Sequence, residues 1–378
     1  MRRRLYDTVH EDFRATVARF CTEHVVPHLE RWDDEGLIDR DVWLAAGRQG
    51  IIGLLGPAEY GGAGADYRFR AVVADELARV HATPLANAFA LQEDTVIPYL
   101  ASLGSADQRS RWLPGMCSGE ILGAIAMTEP GAGSDLRAIE TRARRIDGGW
   151  SLTGSKVFIT SGIQADVVIT VARTDDDALS LFLVEKGMEG FAPGRKLRKI
   201  GLNAQDTAEL FYDDVRVPES SLLGVLDGGL AQLGQHLPVE RLSIAVNAVA
   251  VAEAILADTI AYTKERQAFG RRIADFQNSQ FRLAEMSTEV EVTRAFIDQC
   301  IEDLADSRLG GVDAARAKYW ATDVQNRVVD GCLQLHGGYG YMAEYPVARA
   351  YRDARVQRIY GGTNEIMKHI IAKDLLAE

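Results

Sequence analysis

Hydrophobic spacing changes twice along this chain, from helix-type to strand-type and back, and that order constrains the fold more than any single motif. Up to about Gly119 the period is helical. Phe13, Val17 and Phe20 recur at helical spacing, Val25 and Val26 follow, and further helices fall around residues 42–49 and 71–80. The stretch Gly56-Pro57-Ala58-Glu59-Tyr60-Gly61-Gly62-Ala63-Gly64 breaks both kinds of regular structure and predicts a loop. From Ile121 to Gly224 the pattern turns β-prone. Residues 141–146 and 150–159 flank Asp147-Gly148-Gly149, a hairpin signal, and short runs follow at 167–171, 179–184 and 209–212. From about Gly228 the helical period returns. One helix is predicted from near Pro238 to Phe269, with Leu242, Ala245, Val249, Ala252 and Leu256 on a face. A second carries Leu283, Met286, Val290, Ile297, Ile301 and Leu304, a third spans about 312–335, and a last one begins after Gly362. The expected architecture is α+β: an N-terminal α-helical domain over 1–120, a middle antiparallel β domain over 121–226 and a C-terminal four-helix bundle over 227–378.

With 378 residues, 47% of them hydrophobic, the chain can bury a large core. A net charge of -12 argues against nucleic acid as a partner, although a few local Arg residues can still hold phosphates. Cys21, Cys117, Cys300 and Cys332 have no metal-ligand spacing and fit reduced thiols; no metal site is expected. Arg2, Arg3 and Arg4 follow Met1, but acidic residues arrive at Asp7, Glu11 and Asp12 with no apolar stretch between. No run is expected to approach the length of a membrane span, and a cytoplasmic protein is the expectation.

Two glycine clusters invite a dinucleotide reading and fail it. Gly62-Ala63-Gly64 and Gly131-Ala132-Gly133 each lack the third glycine, no P-loop Gly-Lys-Ser/Thr occurs, and the parallel βαβ pattern is missing. A nucleotide cofactor would have to be held another way.

The segment Ala126-Met127-Thr128-Glu129-Pro130-Gly131-Ala132-Gly133-Ser134-Asp135 follows an apolar strand and is rich in hydroxyls and backbone donors. By itself it suits a tight turn or a planar polar ligand. Farther on stand Lys156-Val157-Phe158-Ile159-Thr160, Glu265-Arg266-Gln267-Ala268-Phe269-Gly270, Phe276-Gln277, Gln334-Leu335-His336-Gly337-Gly338 and Tyr360-Gly361-Gly362-Thr363-Asn364-Glu365. In this order the motifs resemble the acyl-CoA dehydrogenase family over essentially the whole chain, and the C-terminal half looks most like its long-chain branch. The resemblance implies that family's fold and FAD as cofactor. It places Ile125, Met127 and Thr128 along the flavin ring, Ser134 near flavin and CoA, and Phe158 and Thr160 on the other side of the ring. Many relatives carry Trp where Phe158 stands. Arg266 would reach the FAD pyrophosphate of a neighbouring subunit with Phe269 and Gln277 beside it; Gln334, Gly337 and Gly338 would meet the adenine end; Thr363 and Glu365 would close the site. Arg241, Tyr360, Gly361 and Gly362 would join Ser134 around the substrate. Each has an ordinary role too: Arg266 as a helix-end cation, Gly337 and Gly338 as a C-cap, Thr363 as an N-cap.

Removing hydrogen from adjacent carbons of an acyl thioester needs a base for the α-proton and an acceptor for the β-hydride. In much of the family the base is a Glu directly after the tyrosine of the last motif; here that position is Gly361. In the long-chain and isovaleryl branches it comes from the helix opening the bundle, where this chain has Leu237-Pro238-Val239-Glu240-Arg241-Leu242. Glu240 is therefore the expected base. Its ordinary explanation is a carboxylate in a first helical turn begun by Pro238. The resemblance further implies that the Gly361 N–H and an FAD ribityl hydroxyl hold the thioester carbonyl, that an electron-transfer flavoprotein accepts the electrons, and that the chain forms a homotetramer, a dimer of dimers. Three alternatives stay open: an acyl-CoA oxidase or monooxygenase on the same scaffold, a dehydrogenase of carrier-protein-tethered acyl groups, and a helical binding protein without cofactor.

Overall fold

The computed structural model describes residues 3–176 and 178–377; Met1, Arg2, Asp177 and Glu378 lie outside the described residues. Seven α-helices form the first part: α1 Thr8–Phe20, α2 Leu29–Glu35, α3 Arg40–Arg48, α4 Tyr67–Arg79, α5 Thr83–Ala90, α6 Ile97–Leu103 and α7 Ala106–Ser118. Their ends follow local chemistry. Asp7 caps α1 by accepting the Val9 N–H, and Ser105 with Gln108 forms a capping box at α7. Between α5 and α6 the chain widens into a π-turn, Leu91–Val96, which buries Gln92, Glu93, Asp94 and Thr95.

The middle part is a sheet of β1 Gly123–Ala126, β2 Arg142–Ile146, β3 Gly149–Thr160, β4 Val167–Asp175, β5 Ala178–Glu185, β6 Phe191–Lys196, β7 Thr207–Pro218 and β8 Leu222–Leu223. The order is β6-β7-β3-β2-β4-β5-β8, with β1 also on β4. The expected antiparallel pairing holds for β2 with β3, β3 and β6 with β7, and β5 with β4 and β8, but β1 pairs with β4 in parallel, Gly123 opposite Val167 through Ala126 opposite Thr170, and β2 meets β4 in parallel at Arg142 and Arg173. A strand delivered by a helix, as β1 is by α7, is not tied to the direction that a tight hairpin imposes. The hairpin expected at 147–149 joins β2 and β3, with Gly148 at φ 78°.

The third part holds α8 Gly229–Glu265, a short arm of β9 Gln267–Ala268 and β10 Arg271–Arg272, then α9 Gln277–Ala305, α10 Gly311–His336, α11 Pro346–Ala354 and α12 Asn364–Leu375. α10 packs along α8 and also against α9, α11 and α12. α4 joins them, placing Tyr67, Ala71 and Ala74 in one core with Leu242, Val246, Ile297 and Ala321.

Two expectations about α8 are overturned. It starts at Gly229, so Pro238 lies inside it and Glu240 sits about three turns from its N-terminus, beyond the reach of the helix-end dipole. Pro238 costs one backbone hydrogen bond. Burial upstream offsets that: Gln232 and Leu233 are buried, and Gly229 stands against the Leu179 and Ser180 backbone, where a Cβ would come within 2.5 Å. The helix also contains a window with mean hydropathy 1.7, long and apolar enough to cross a membrane by composition. Of that window 67% is buried within the protein, so its apolarity serves packing against the bundle.

Candidate active site

The expected site residues fall into three groups. The first surrounds the end of β1. Ile125 and Met127 are half-buried against a core that includes Val167, Ile169, Leu181 and Tyr99. The Thr128 carbonyl accepts the Val157 N–H at 2.9 Å, tying this loop to β3. A buried ion pair reinforces the tie: Lys156 Nζ donates to the Met127 carbonyl at 3.0 Å and to Glu129 Oε1 at 2.8 Å, while Glu129 also accepts the Glu140 and Thr141 N–H groups. Burial pushes the Glu129 carboxyl up, but Lys156 and these N–H groups outweigh it and hold the carboxyl below its usual value. Burial draws Lys156 down to about 8. The two ends pull in different directions; with three donors converging on the carboxylate, the ionised pair is the form at neutral pH.

Just past Lys156 the register of β3 on β7 shifts, and Phe158 takes φ 61°, which a bulky residue rarely adopts. The bulge turns the ring outward, 67% exposed. Thr160 is half-buried opposite Thr207, and Ser134 is exposed on the loop.

The second group lies elsewhere. Arg266, Gln334, Gly337 and Gly338 line an open cleft of about 660 Å³ that shares no lining residue with the first group. α8 ends at Glu265, earlier than the predicted Phe269, so Arg266 follows it in extended conformation, with its guanidinium 5.3 Å from the Tyr339 ring centroid. Phe269, at φ 53°, is 96% exposed on the projecting arm, and Gln277 opens α9 at the surface.

The third group gathers around α8. Glu240 keeps some accessible surface but is crowded by protein, and its Oε1 accepts the Tyr99 hydroxyl at 3.0 Å. Burial pushes it up to about 7, against the pull of Tyr99 and Arg241, and Asp94 adds to the rise. One turn along, the Ile244 Cδ1 stands 2.4 Å from where a Cβ on Gly361 would be. Gly361 and Gly362 have φ 64° and 89°, and the Gly361 N–H has no acceptor among the described residues. Arg241 lies against Gly362, and Lys318 donates to the Gly362 carbonyl at 2.8 Å. Tyr360 is half-buried and donates to Gln357 at 3.1 Å. Thr363 caps α12 through the Ile366 N–H, and Glu365 is exposed, its own backbone N–H foremost in holding it low. The capping role of Thr363 thus holds, as does the cap at Gly337, whose N–H reaches the Gln334 carbonyl.

Sequence reasoning assigned nothing to Tyr99, Asp94 or the Lys156–Glu129 pair. Polar residues at strongly apolar stretches were the available signal, but their partners lie far along the chain.

Whether FAD fits can be judged from these residues. A Cβ on Gly131, Gly133, Gly337 or Gly338 would meet nothing within 4 Å, so backbone there is open to a ligand. The Thr128 and Ser134 hydroxyls have no hydrogen-bond partner, and Arg266 no ion pair, among the described residues. The residues fit a planar ring at one end and a pyrophosphate at the other.

A helix–sheet–helix chain with an open donor-rich loop and the shielded Glu240 carboxylate is the architecture of a flavoprotein oxidoreductase. The chain belongs to the acyl-CoA dehydrogenase family, FAD-dependent enzymes of fatty acid β-oxidation. Residues 7–120, 124–215 and 227–376 match that family's N-terminal, middle and C-terminal domains. It is 50% identical over 380 residues to the long-chain specific acyl-CoA dehydrogenase, mitochondrial, of Sus scrofa, covering 99% of this chain and 88% of that one. The crystal structure of acyl-CoA dehydrogenase from Geobacillus kaustophilus has a TM-score of 0.96 at 43% identity, covering 99% of this chain and 100% of that one. A glutaryl-CoA dehydrogenase from Mycobacterium smegmatis, in complex with FADH2, has a TM-score of 0.94 at 29% identity, covering 99% and 96%.

Proposed function

We propose that this enzyme dehydrogenates a long-chain acyl-CoA between its α and β carbons to the trans-2-enoyl-CoA, with Glu240 as the base. The observation that carries the reading is the shielded Glu240 carboxyl, raised to about 7, on the helix face whose next turn packs on Gly361. A carboxylate near that value is ionised for a useful fraction of time at neutral pH and basic enough to take a weakly acidic proton.

In this scheme Glu240 removes the α-proton. The free Gly361 N–H donates to the thioester carbonyl and favours charge gathering on that oxygen. Glycine suits the position because φ 64° is easy for it and the donor is backbone. Thr128, Ser134, Phe158 and Thr160 would hold the flavin ring of FAD, which when bound supplies a hydride acceptor for the β-carbon. Arg241, Tyr360 and Gly362 line the acyl side.

The Arg266 cleft shares no lining with the Thr128 loop, and Phe269 is nearly bare. Both support a homotetramer in which Arg266, Phe269 and Gln277 serve a neighbouring subunit's FAD. An electron-transfer flavoprotein is the proposed electron acceptor. The preference for long chains draws on the relatives of that name.

Glu240→Gln tests the assignment. Turnover with long-chain acyl-CoA and an artificial electron acceptor should fall about 10²–10⁴-fold while the bound flavin spectrum persists. Near-normal turnover refutes it.

A further inference from the structure

Behind Glu240 stands a layer of side chains that the proposed reaction does not yet use. Tyr99 on α6 is fully buried in a core with Leu100, Leu113, Leu181 and Leu233. Its ring stacks on His236 with centroids 4.1 Å apart and planes 28° apart. His236 and Glu240 are one turn apart on the same face of α8. The phenol therefore reaches Glu240 alongside a ring from the same helix.

His236 is anchored in turn. Its Nε2 lies 2.9 Å from Ser102 Oγ, and that hydroxyl donates to the Pro98 carbonyl at 2.8 Å. With the Ser102 proton committed to Pro98, His236 Nε2 is the donor. Burial lowers the His236 pKa, so the ring is neutral at pH 7 and adds no charge beside Glu240.

The Tyr99 hydroxyl is the only hydrogen-bond partner of the Glu240 carboxyl among the described residues. A glutamate side chain has several rotatable bonds, and a base whose oxygen wanders by an ångström loses much of its advantage. The bond occupies Oε1 and leaves Oε2 free to receive a proton.

We propose that Tyr99 is a positioning residue for Glu240: its hydroxyl, on a ring clamped by α6 and His236, holds Oε1 so that Oε2 faces the α-carbon of the substrate. This rests on the reading of Glu240 as the base.

The groups facing Glu240 set its proton affinity together. The Tyr99 hydroxyl and Arg241 favour the ionised form, and Asp94 from the π-turn disfavours it. Asp94 is itself held by Arg70 at 3.3 Å and accepts the Ser243 hydroxyl. Removing the phenolic donor deletes a stabilising contact of the carboxylate and leaves Asp94 in place. The pKa of Glu240 then moves up, and the acid limb of the pH–rate profile moves to higher pH.

The test is Tyr99→Phe, which keeps the ring, the core contacts and the stack on His236. At neutral pH kcat should fall about tenfold, the loss of one hydrogen bond to a charged group. KM should change less than about twofold, because substrate contacts are untouched. The midpoint of the acid limb of kcat/KM should rise by about half to one pH unit. In a Glu240→Gln background the same substitution should cause no further loss, because its effect runs through the carboxylate. Parental kcat and pH midpoint in Tyr99→Phe, beside an inactive Glu240→Gln enzyme, overturn the positioning role and leave the base assignment standing. An undiminished Tyr99→Phe effect in the double variant also overturns it. An active Glu240→Gln enzyme overturns the base assignment and this proposal with it.

Discussion

Replacing Lys156 by Met tests the joint between the Thr128 loop and β3. Methionine keeps most of the side-chain volume and removes the charge. The ammonium is buried, and so is the Glu129 carboxylate it meets at 2.8 Å. Stripped of Lys156, Glu129 keeps two backbone donors, the Thr141 N–H at 2.9 Å and the Glu140 N–H at 2.6 Å. Leaving one partner of a buried pair costs about 3–5 kcal/mol. Protonation sets a ceiling on that cost. Bringing a carboxyl from its ordinary 4.5 to neutrality at pH 7 takes about 3.4 kcal/mol, at about 1.36 kcal/mol per unit. Substitution also relieves the burial that draws Lys156 down to about 8. The expected net loss at pH 7 is therefore about 2–3 kcal/mol.

The sign of its pH dependence follows. In the variant the folded-state pKa of Glu129 lies above its unfolded value, so the folded form binds the extra proton. The loss shrinks as pH falls from 7 toward 5, to about 1 kcal/mol at the lower end. Urea unfolding at both pH values, with protein and FAD concentrations fixed, measures it. The variant should also release flavin faster, since the Met127–Glu129 segment loses its tether. Parental stability at pH 7, or an equal loss at both pH values, refutes the reasoning.

With Glu240 as the proposed base its ionised form would be the active one, so kcat/KM should rise with pH through about 7 and fall about tenfold per unit below that; a profile flat from about pH 6 to 8 contradicts the assignment. Gly361→Glu should fail to rescue Glu240→Gln turnover alone, because the new side chain meets φ 64° and Ile244 at 2.4 Å; adding Ile244→Ala should restore part of it, and rescue with Ile244 intact would contradict the packing. Arg266→Ala should weaken FAD binding about 10–100-fold, measured by fluorescence of released flavin, and unchanged affinity would remove Arg266 from the cofactor site.

The three-part architecture was legible because it rests on local periodicity. Helical spacing around Val42, Ala71 and Leu283 and the hairpin at Gly148 each came from neighbours a few residues apart. The errors have a common source. Pro238 is an ordinary helix-start signal, yet packing of Gly229 and Leu233 carries α8 through it. The direction of β1 depends on its neighbour β4, some forty residues on, and no period within β1 encodes it. The apolar window in α8 passes a composition test for a membrane span, and only its burial against the bundle shows where that surface goes.

Amino-acid order by itself determined which chemistry could be assembled: an open hydroxyl-rich loop after β1, a glycine where a carboxylate would otherwise stand at 361, and a glutamate at 240. Tertiary structure decided what those groups can do. Glu240 is raised to about 7 because the surrounding protein displaces water from it and the Asp94 charge adds to the rise, against the pull of the Tyr99 hydroxyl, 141 positions away, and of Arg241. Phe158 points outward because a register shift against β7 turns it. Proton affinity and side-chain direction depend on what surrounds a group in space, and residues distant in sequence supply that environment.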